Sequence, residues 1–306
     1  MAISTVQAYL NGTWYALTYN SGTSKYEATL TAPGSTSFNQ TDHVYAMQVR
    51  ATNTAGTATT VTTADATIGN SLKLRVLESI APTINITSPG SGAYVTNSQQ
   101  PVVFQVTDES GGSGISLASL ALKIDGGAAI AYNGSGMAHS SITNGYAFTY
   151  TPSSALSDGS HTVTINVSDN DGNAATQASR TYAIDTIAPT LNVTNPSNNF
   201  LTNTAALTVQ GSTNDATSSP VTVTITLNGT GQGTVAVSGG TFTKAITLAE
   251  GPNTVVVTAT DAAGKTTSVT RAGTLDTSIP TISSVTVSPN PAGTGNSMLI
   301  SVVVSG

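Results

Sequence analysis

The sequence predicts an all-β protein built from tandem sandwich modules. Three observations predict it. Branched apolar residues alternate with Thr along most of the chain, clusters of Gly, Asn, Asp and Pro interrupt these runs at short intervals, and several phrases recur at module-length spacing.

The alternation is plain in Thr162-Val-Thr-Ile-Asn-Val167, Pro220-Val-Thr-Val-Thr-Ile-Thr-Leu227 and Asn253-Thr-Val-Val-Val-Thr-Ala259. A branched apolar face opposite a Thr face describes a half-buried strand, because the branched carbon of Thr favours extended backbone at solvent positions. No segment has the 3.6-residue period of an amphipathic helix. Only 8% of the 306 residues are charged, nine basic and fifteen acidic, for a net charge of −6. Scattered Lys and Arg on an acidic chain are a poor footprint for nucleic acid. No apolar run approaches the ~20 residues of a membrane helix, so neither nucleic acid nor membrane insertion is expected. The chain has no cysteine, which excludes disulfides, thiolate metal sites and a cysteine nucleophile. Residues 1–11 show neither a basic segment nor an apolar one, so no signal peptide is visible.

The repeats set the organisation. A linker recurs as Glu78-Ser-Ile-Ala-Pro82, Asp185-Thr-Ile-Ala-Pro189 and Asp276-Thr-Ser-Ile-Pro280, each followed by an apolar strand and a second proline, Pro89, Pro196 or Pro289. A middle landmark, strand then Asx-Gly, falls at Asn11-Gly12, Asp125-Gly126 and Asn228-Gly229. A closing landmark falls at Asn53-Thr-Ala-Gly56, Asp169-Asn-Asp-Gly172 and Asp261-Ala-Ala-Gly264, and reads as a tight turn between the last two antiparallel strands. These landmarks divide the chain into an N-terminal unit (1–79), two complete modules (80–186 and 187–277) and a C-terminal two-strand segment (278–306).

Modules of this length with about seven short strands fit an immunoglobulin-like sandwich. With its Asp-Thr-x-x-Pro linker and its closing strand and Asp-x-x-Gly turn, the chain resembles the tandem bacterial Ig-like (Big-type) repeat proteins. The resemblance implies an extended rod of β-sandwiches serving as spacer or binding surface. Phrases such as Asn214-Asp-Ala-Thr-Ser-Ser-Pro220 and Ser168-Asp-Asn-Asp-Gly-Asn173 also resemble Ig-like proteins of gut Firmicutes and their tailed phages. That implies an extracellular surface or virion location.

The two ends read as complementary fragments. The complete modules carry two opening strands between the linker proline and the middle landmark, which the N-terminal unit lacks. The C-terminal segment supplies two strands and nothing more. A lone strand pair is not stable in water, and a sandwich without its opening strands exposes edges. The sequence therefore predicts a non-enzymatic structural protein that joins copies of itself head to tail by strand complementation, giving a filament or virion-type appendage. The expected interface comprises Ile3, Val6, Ala8 and Leu10 of the head with Ile282, Val285, Val287, Met298, Ile300, Val302 and Val304 of the tail. Two alternatives stay open for the ends: Ala2 to Leu10 as the first strand of a self-contained head, and a tail docked locally or cut short. The alternative function is a surface adhesin or carbohydrate-binding stalk.

Other candidate sites are few. Calcium-binding tandem adhesins hold the ion between linker acids and acidic turns, and Asp169, Asp171, Asp185, Asp261 and Asp276 stand at such places. One or two acids per junction fall short of the six to eight oxygens calcium takes, and the first junction offers only Glu78 with Asn53. The expectation is accordingly no cofactor, the acids serving as turn formers. Seven of the sixteen aromatic side chains lie in the first 45 residues. Tyr15, Leu17 and Tyr19 alternate onto one face, as core positions would. Trp14, Tyr15, Phe38, Asn39 and Gln40 form the candidate recognition edge for a host glycan or protein, since aromatic faces stack on sugars and anchor interfaces. His43, His139 and His161 are isolated, and the glycine clusters open no helix, so no catalytic site or phosphate cradle is expected. Ser110–Gly114 reads as a flexible turn.

Overall fold

The structure, a computed structural model, describes residues 2–306. It forms two compact units, residues 1–184 and 185–306. Among the described residues all regular structure is strand, apart from three short 3-10 turns at Ser37–Asn39, Thr41–His43 and Gly69–Leu72.

Unit one begins with a head of seven strands: β1 (Ile3–Leu10), β2 (Thr13–Asn20), β3 (Lys25–Glu27), β4 (Tyr45–Ala46), β5 (Gln48–Asn53), β6 (Ala58–Val61) and β7 (Lys73–Leu74). Five of them form one antiparallel sheet in the order β3-β2-β1-β5-β6, and β4 pairs only with β7. The following module contains β8 (Thr83–Ser88), β9 (Tyr94–Val95), β10 (Val102–Thr107), β11 (Ile115–Ile124), β12 (Met137–Ile142), β13 (Gly145–Tyr150), β14 (Gly159–Asp169) and β15 (Ala178–Ile184). Its two four-stranded sheets run β12-β13-β10-β8 and β11-β14-β15-β9.

Unit two holds β16 (Thr190–Asn195), β17 (Phe200–Thr202), β18 (Ala206–Asn214), β19 (Thr222–Leu227), β20 (Thr230–Gly231), β21 (Val237–Ser238), β22 (Thr241–Thr247), β23 (Gly251–Thr260) and β24 (Thr266–Leu275). These form sheets β16-β18-β22-β21 and β17-β24-β23-β19-β20. A separate hairpin follows, β25 (Thr281–Ser288) paired with β26 (Leu299–Ser305).

The alternation in the sequence becomes burial of one face. Val102, Phe104 and Val106 on β10 and Val163 and Ile165 on β14 are wholly buried, and Phe104 stacks on Phe148 with ring centroids 4.9 Å apart. The second sandwich closes in the same way around Val209, Ile225, Val255 and Val257. A half-buried arginine links the two sheets of each sandwich. Arg180 on β15 donates to the Ile86 carbonyl at 2.6 Å, and Arg271 on β24 donates to the Val193 carbonyl at 3.1 Å. The short phrases at Val95 and Leu201 form brief parallel pairings, β9 with β15 and β17 with β24.

The turn landmarks take the predicted geometry. Asn11, Asp125 and Asn228 have φ near +50°, each followed by a glycine at positive φ. This is the backbone of a two-residue hairpin turn, which Asx-Gly tolerates without strain. At each closing turn an Asx Oδ1 accepts the backbone N–H four residues on, from Thr57 to Asn53 (2.9 Å), Asn173 to Asp169 (2.8 Å) and Lys265 to Asp261 (2.8 Å).

The head differs in its second layer. Cross-strand partners place Val6, Ala8, Leu10, Leu17, Tyr15, Tyr19 and Tyr26 on one face of its sheet. Among the described residues, only Val6, Ala8, Leu10 and Tyr45 are buried apolar side chains of the head, against fifteen in the next module's core. Tyr15 and Tyr19, expected in the core, are 37% and 53% exposed. Among the described residues the head has no counterpart of the β8–β10 pair.

Candidate functional site

Two features stand out chemically: an acidic triad at the start of each complete sandwich, and the terminal hairpin. Each triad is assembled from three separate stretches of chain. The linker supplies one acid, the residue just beyond the second long strand supplies another, and the closing turn supplies the third. In unit one these are Glu78, Asp108 and Asp169; in unit two they are Asp185, Asp215 and Asp261. In each set, one oxygen from every carboxylate lies within 4.8 Å of those of the other two.

The acids are held from behind by hydrogen bonds. Asp108 Oδ2 accepts from Gly114 N at 2.7 Å, and Glu78 Oε1 accepts from Ser113 Oγ at 3.1 Å. Both oxygens of Asp169 accept from Asn173 at 2.8 Å. Burial would raise the Asp169 pKa, but these bonds outweigh it and hold the carboxyl below its ordinary range. Glu109 adjoins this triad. Burial and the neighbouring Asp108 and Glu78 push its carboxyl up to about 7. In unit two, Asp215 Oδ1 accepts from Thr217 N and Ser218 N, and Asp185 Oδ2 accepts from Ser218 Oγ. The Ser110–Gly114 segment, expected to be a flexible turn, is fastened by the bonds to Asp108 and Glu78.

Against the sequence expectations, the structure regroups the acids. Asp169 enters one triad, and Asp185 and Asp261 enter the other, with Asp108 and Asp215 added from the strand ends. Glu78 faces the turn of the module it introduces and not Asn53, because the chain runs from the linker directly into β8 and the sandwich closes its own turn beside it. Asp171 stands apart. Its Oδ2 accepts from Thr36 Oγ1 and Glu78 N, which ties the head to the next module. Asp276 is exposed and caps Ser278. Asp108 and Asp215 were missed as candidates. The signal that finds them is their constant distance of 26 residues from the linker proline.

The interface candidates divide. Val6, Ala8 and Leu10 are already buried within the head, so a partner strand cannot reach them directly; Ile3 remains 46% exposed. The hairpin is open. Its register places Ile282 opposite Val304, Val285 opposite Val302 and Val287 opposite Ile300, so all six share one face, and all six are exposed, as is Met298. The recognition candidates do not converge. Trp14 packs on Tyr9 and lies under the Arg50 guanidinium at 4.5 Å, Tyr15 points to the opposite face, and Phe38 stacks on His43. Asn39 donates to the Gly112 carbonyl at 2.7 Å, so this edge is engaged by the next module, and Gln40 is exposed beside it.

Comparison with known proteins agrees with this architecture. Residues 82–165 match the family model of the bacterial Ig domain, and residues 189–277 match that of glucodextranase domain B. The fold is an all-β array of immunoglobulin-like sandwiches, and the likeness to the bacterial Ig domain covers residues 82–165 of the chain. No curated protein matches it. Among solved structures, the fibronectin(III)-like modules of Clostridium thermocellum CbhA are 15% identical, with 63% of this chain and 94% of theirs covered and a TM-score of 0.40. The I67–I69 fragment of titin is 11% identical, with 77% and 75% covered and a TM-score of 0.40. Rst D1-D2 is 12% identical, with 63% and 99% covered and a TM-score of 0.38.

Proposed function

We propose that this is a non-enzymatic structural protein of a cell surface or virion, whose copies join head to tail. The hairpin β25–β26 of one copy supplies the head of the next with the opening strand pair that complete modules carry as β8–β10 and β16–β18. One observation carries this reading. Counted from the linker proline, Ile300, Val302 and Val304 occupy the places of Val102, Phe104 and Val106. The latter three are wholly buried, whereas Val302 is 47% exposed and its two neighbours 57%. On the head's apolar sheet face, in turn, Val6, Ala8 and Leu10 are covered while Tyr15 and Tyr19 remain exposed. Fully burying each such side chain contributes about 1.5–3 kcal/mol, so six on one face offer a driving force that can exceed the cost of association. A head-to-tail contact of this kind is heterologous and propagates into a chain or closes into a ring.

The test uses the full-length protein in light scattering and negative-stain microscopy. Assemblies that grow with concentration are expected. The double substitution Val302→Asp with Ile300→Asp should leave both sandwiches folded and abolish growth. A soluble peptide of residues 277–306 should bind one copy per chain and cap growth. Monomers at all concentrations, together with a peptide that does not bind, would overturn the reading.

A further inference from the structure

We propose that the two acidic triads are calcium sites, one in each complete sandwich. Acidic clusters are common on protein surfaces, but these are not surface clusters. Asp108, Asp169, Asp185, Asp215 and Asp261 all retain less than a tenth of their exposure. Burial of several carboxylates within 4.8 Å is costly unless a cation neutralises them. The protein supplies none: the one ion pair among the described residues is His161 with Asp125, and neither belongs to a triad.

The second observation is independent of the clustering. Asp108 Oδ1 and Asp261 Oδ2 are buried and accept no hydrogen bond. In each case the other oxygen of the same carboxylate is anchored by a backbone N–H, from Gly114 to Asp108 and from Lys265 to Asp261. One oxygen fixes the side chain and the other is left buried without a donor. Glu109 Oε2, beside the first triad, is also buried without a partner. Buried acceptors in native proteins are otherwise nearly always satisfied.

The donor set selects the ion. It consists entirely of oxygen, with three carboxylates per site, which suits a hard cation. Calcium takes six to eight oxygens in flexible geometry, whereas magnesium dehydrates reluctantly and usually engages one or two carboxylates. Zinc and copper favour nitrogen and sulfur donors absent here. The same construction in two sandwiches whose other side chains differ widely argues that the triad is a functional unit. A bound ion would fasten the linker acid to its own sandwich at both the strand end and the closing turn.

The experiment is calorimetric titration of chelator-treated full-length protein with calcium alone, in parallel with thermal unfolding. Two calcium ions per chain and a raised melting temperature are expected. Asp108→Asn and Asp261→Asn should each reduce the stoichiometry from two to one, and the double variant should bind none. These changes keep side-chain shape and relieve charge repulsion, and circular dichroism confirms that the variants fold. Asp171→Asn and Asp276→Asn should still bind two. Absence of binding at millimolar calcium, unchanged stoichiometry in the Asp108 and Asp261 variants, or equal response to magnesium would overturn the assignment. The outcome is independent of polymer formation, because both sites lie within single sandwiches.

Discussion

His161 should make the first complete sandwich pH-sensitive while the second stays indifferent. The ring is 5% exposed, with Nδ1 at 2.7 Å from Asp125 Oδ2 and Nε2 at 2.8 Å from the Ser157 carbonyl. Both neighbours are acceptors, so both are satisfied only by the doubly protonated ring. Burial alone would lower the pKa, but the bonds to Ser157 and Asp125 outweigh it and raise it above the ordinary 6.5. A raised histidine pKa stabilises the fold fully below the unfolded value. That contribution is lost as pH rises through the folded value. Deprotonation leaves one ring N–H for two acceptors, and a hydrogen bond to a charged group is worth about 1.5–3 kcal/mol. Asp125 is half exposed, so water repays part of the loss and the lower end applies. For a module of about 100 residues, 1–2 kcal/mol corresponds to roughly 5–15 °C. At the matching place in unit two, Asn253 donates to the Ala249 carbonyl at 2.7 Å and accepts from Asn228 at 3.2 Å, with no titrating group. Calorimetry of the full chain between pH 5.5 and 9 should show one transition moving down as pH rises. The raised Glu109 carboxyl of the same sandwich also loses its proton near 7, so His161→Asn should reduce this movement without abolishing it. An unmoved transition, or a movement that the variant leaves undiminished, would refute the reasoning.

Two further outcomes follow from the packing and the triads. Phe104→Ala should destabilise its sandwich by about 3–5 kcal/mol, because the side chain is wholly buried and the ring of Phe148 loses its stacking partner; urea unfolding measures this, and a loss under 1 kcal/mol would contradict a tightly packed site. Head-to-tail joints should resist chelation even if calcium binds elsewhere. Counted from the linker, the composite site would hold Asp276, Gly306 and Asn53, only one of them with an acidic side chain, so light scattering of assembled protein should not change on adding chelator.

The strands and turns were legible because their causes are local. Thr alternation sets which strands form, and Asx-Gly at Asn11, Asp125 and Asn228 sets the hairpins through the positive φ that these residues accept. The triads were legible only in part. Asp169 and Asp261 announce themselves in the turn phrase, but Asp108 and Asp215 look like ordinary polar residues after a strand. Their proximity to the turn depends on how the two sheets stack. The same stacking explains two misreadings. Glu78 suggested a partner in the preceding unit, yet it lies against the sandwich that follows. Tyr15 and Tyr19 have core spacing, yet spacing shows only that they share a face and cannot show whether another layer covers it.

The sequence by itself determined the fold class, the repeat, the turns and the amphipathic faces, since each rests on backbone preference and on interactions within a few residues. The tertiary structure alone decided which acids meet, which carboxylate oxygens lack a donor, and which apolar face stays open. Those depend on burial and on contacts between segments far apart in the chain, such as Glu78 and Asp169, 91 residues apart. No local pattern encodes them.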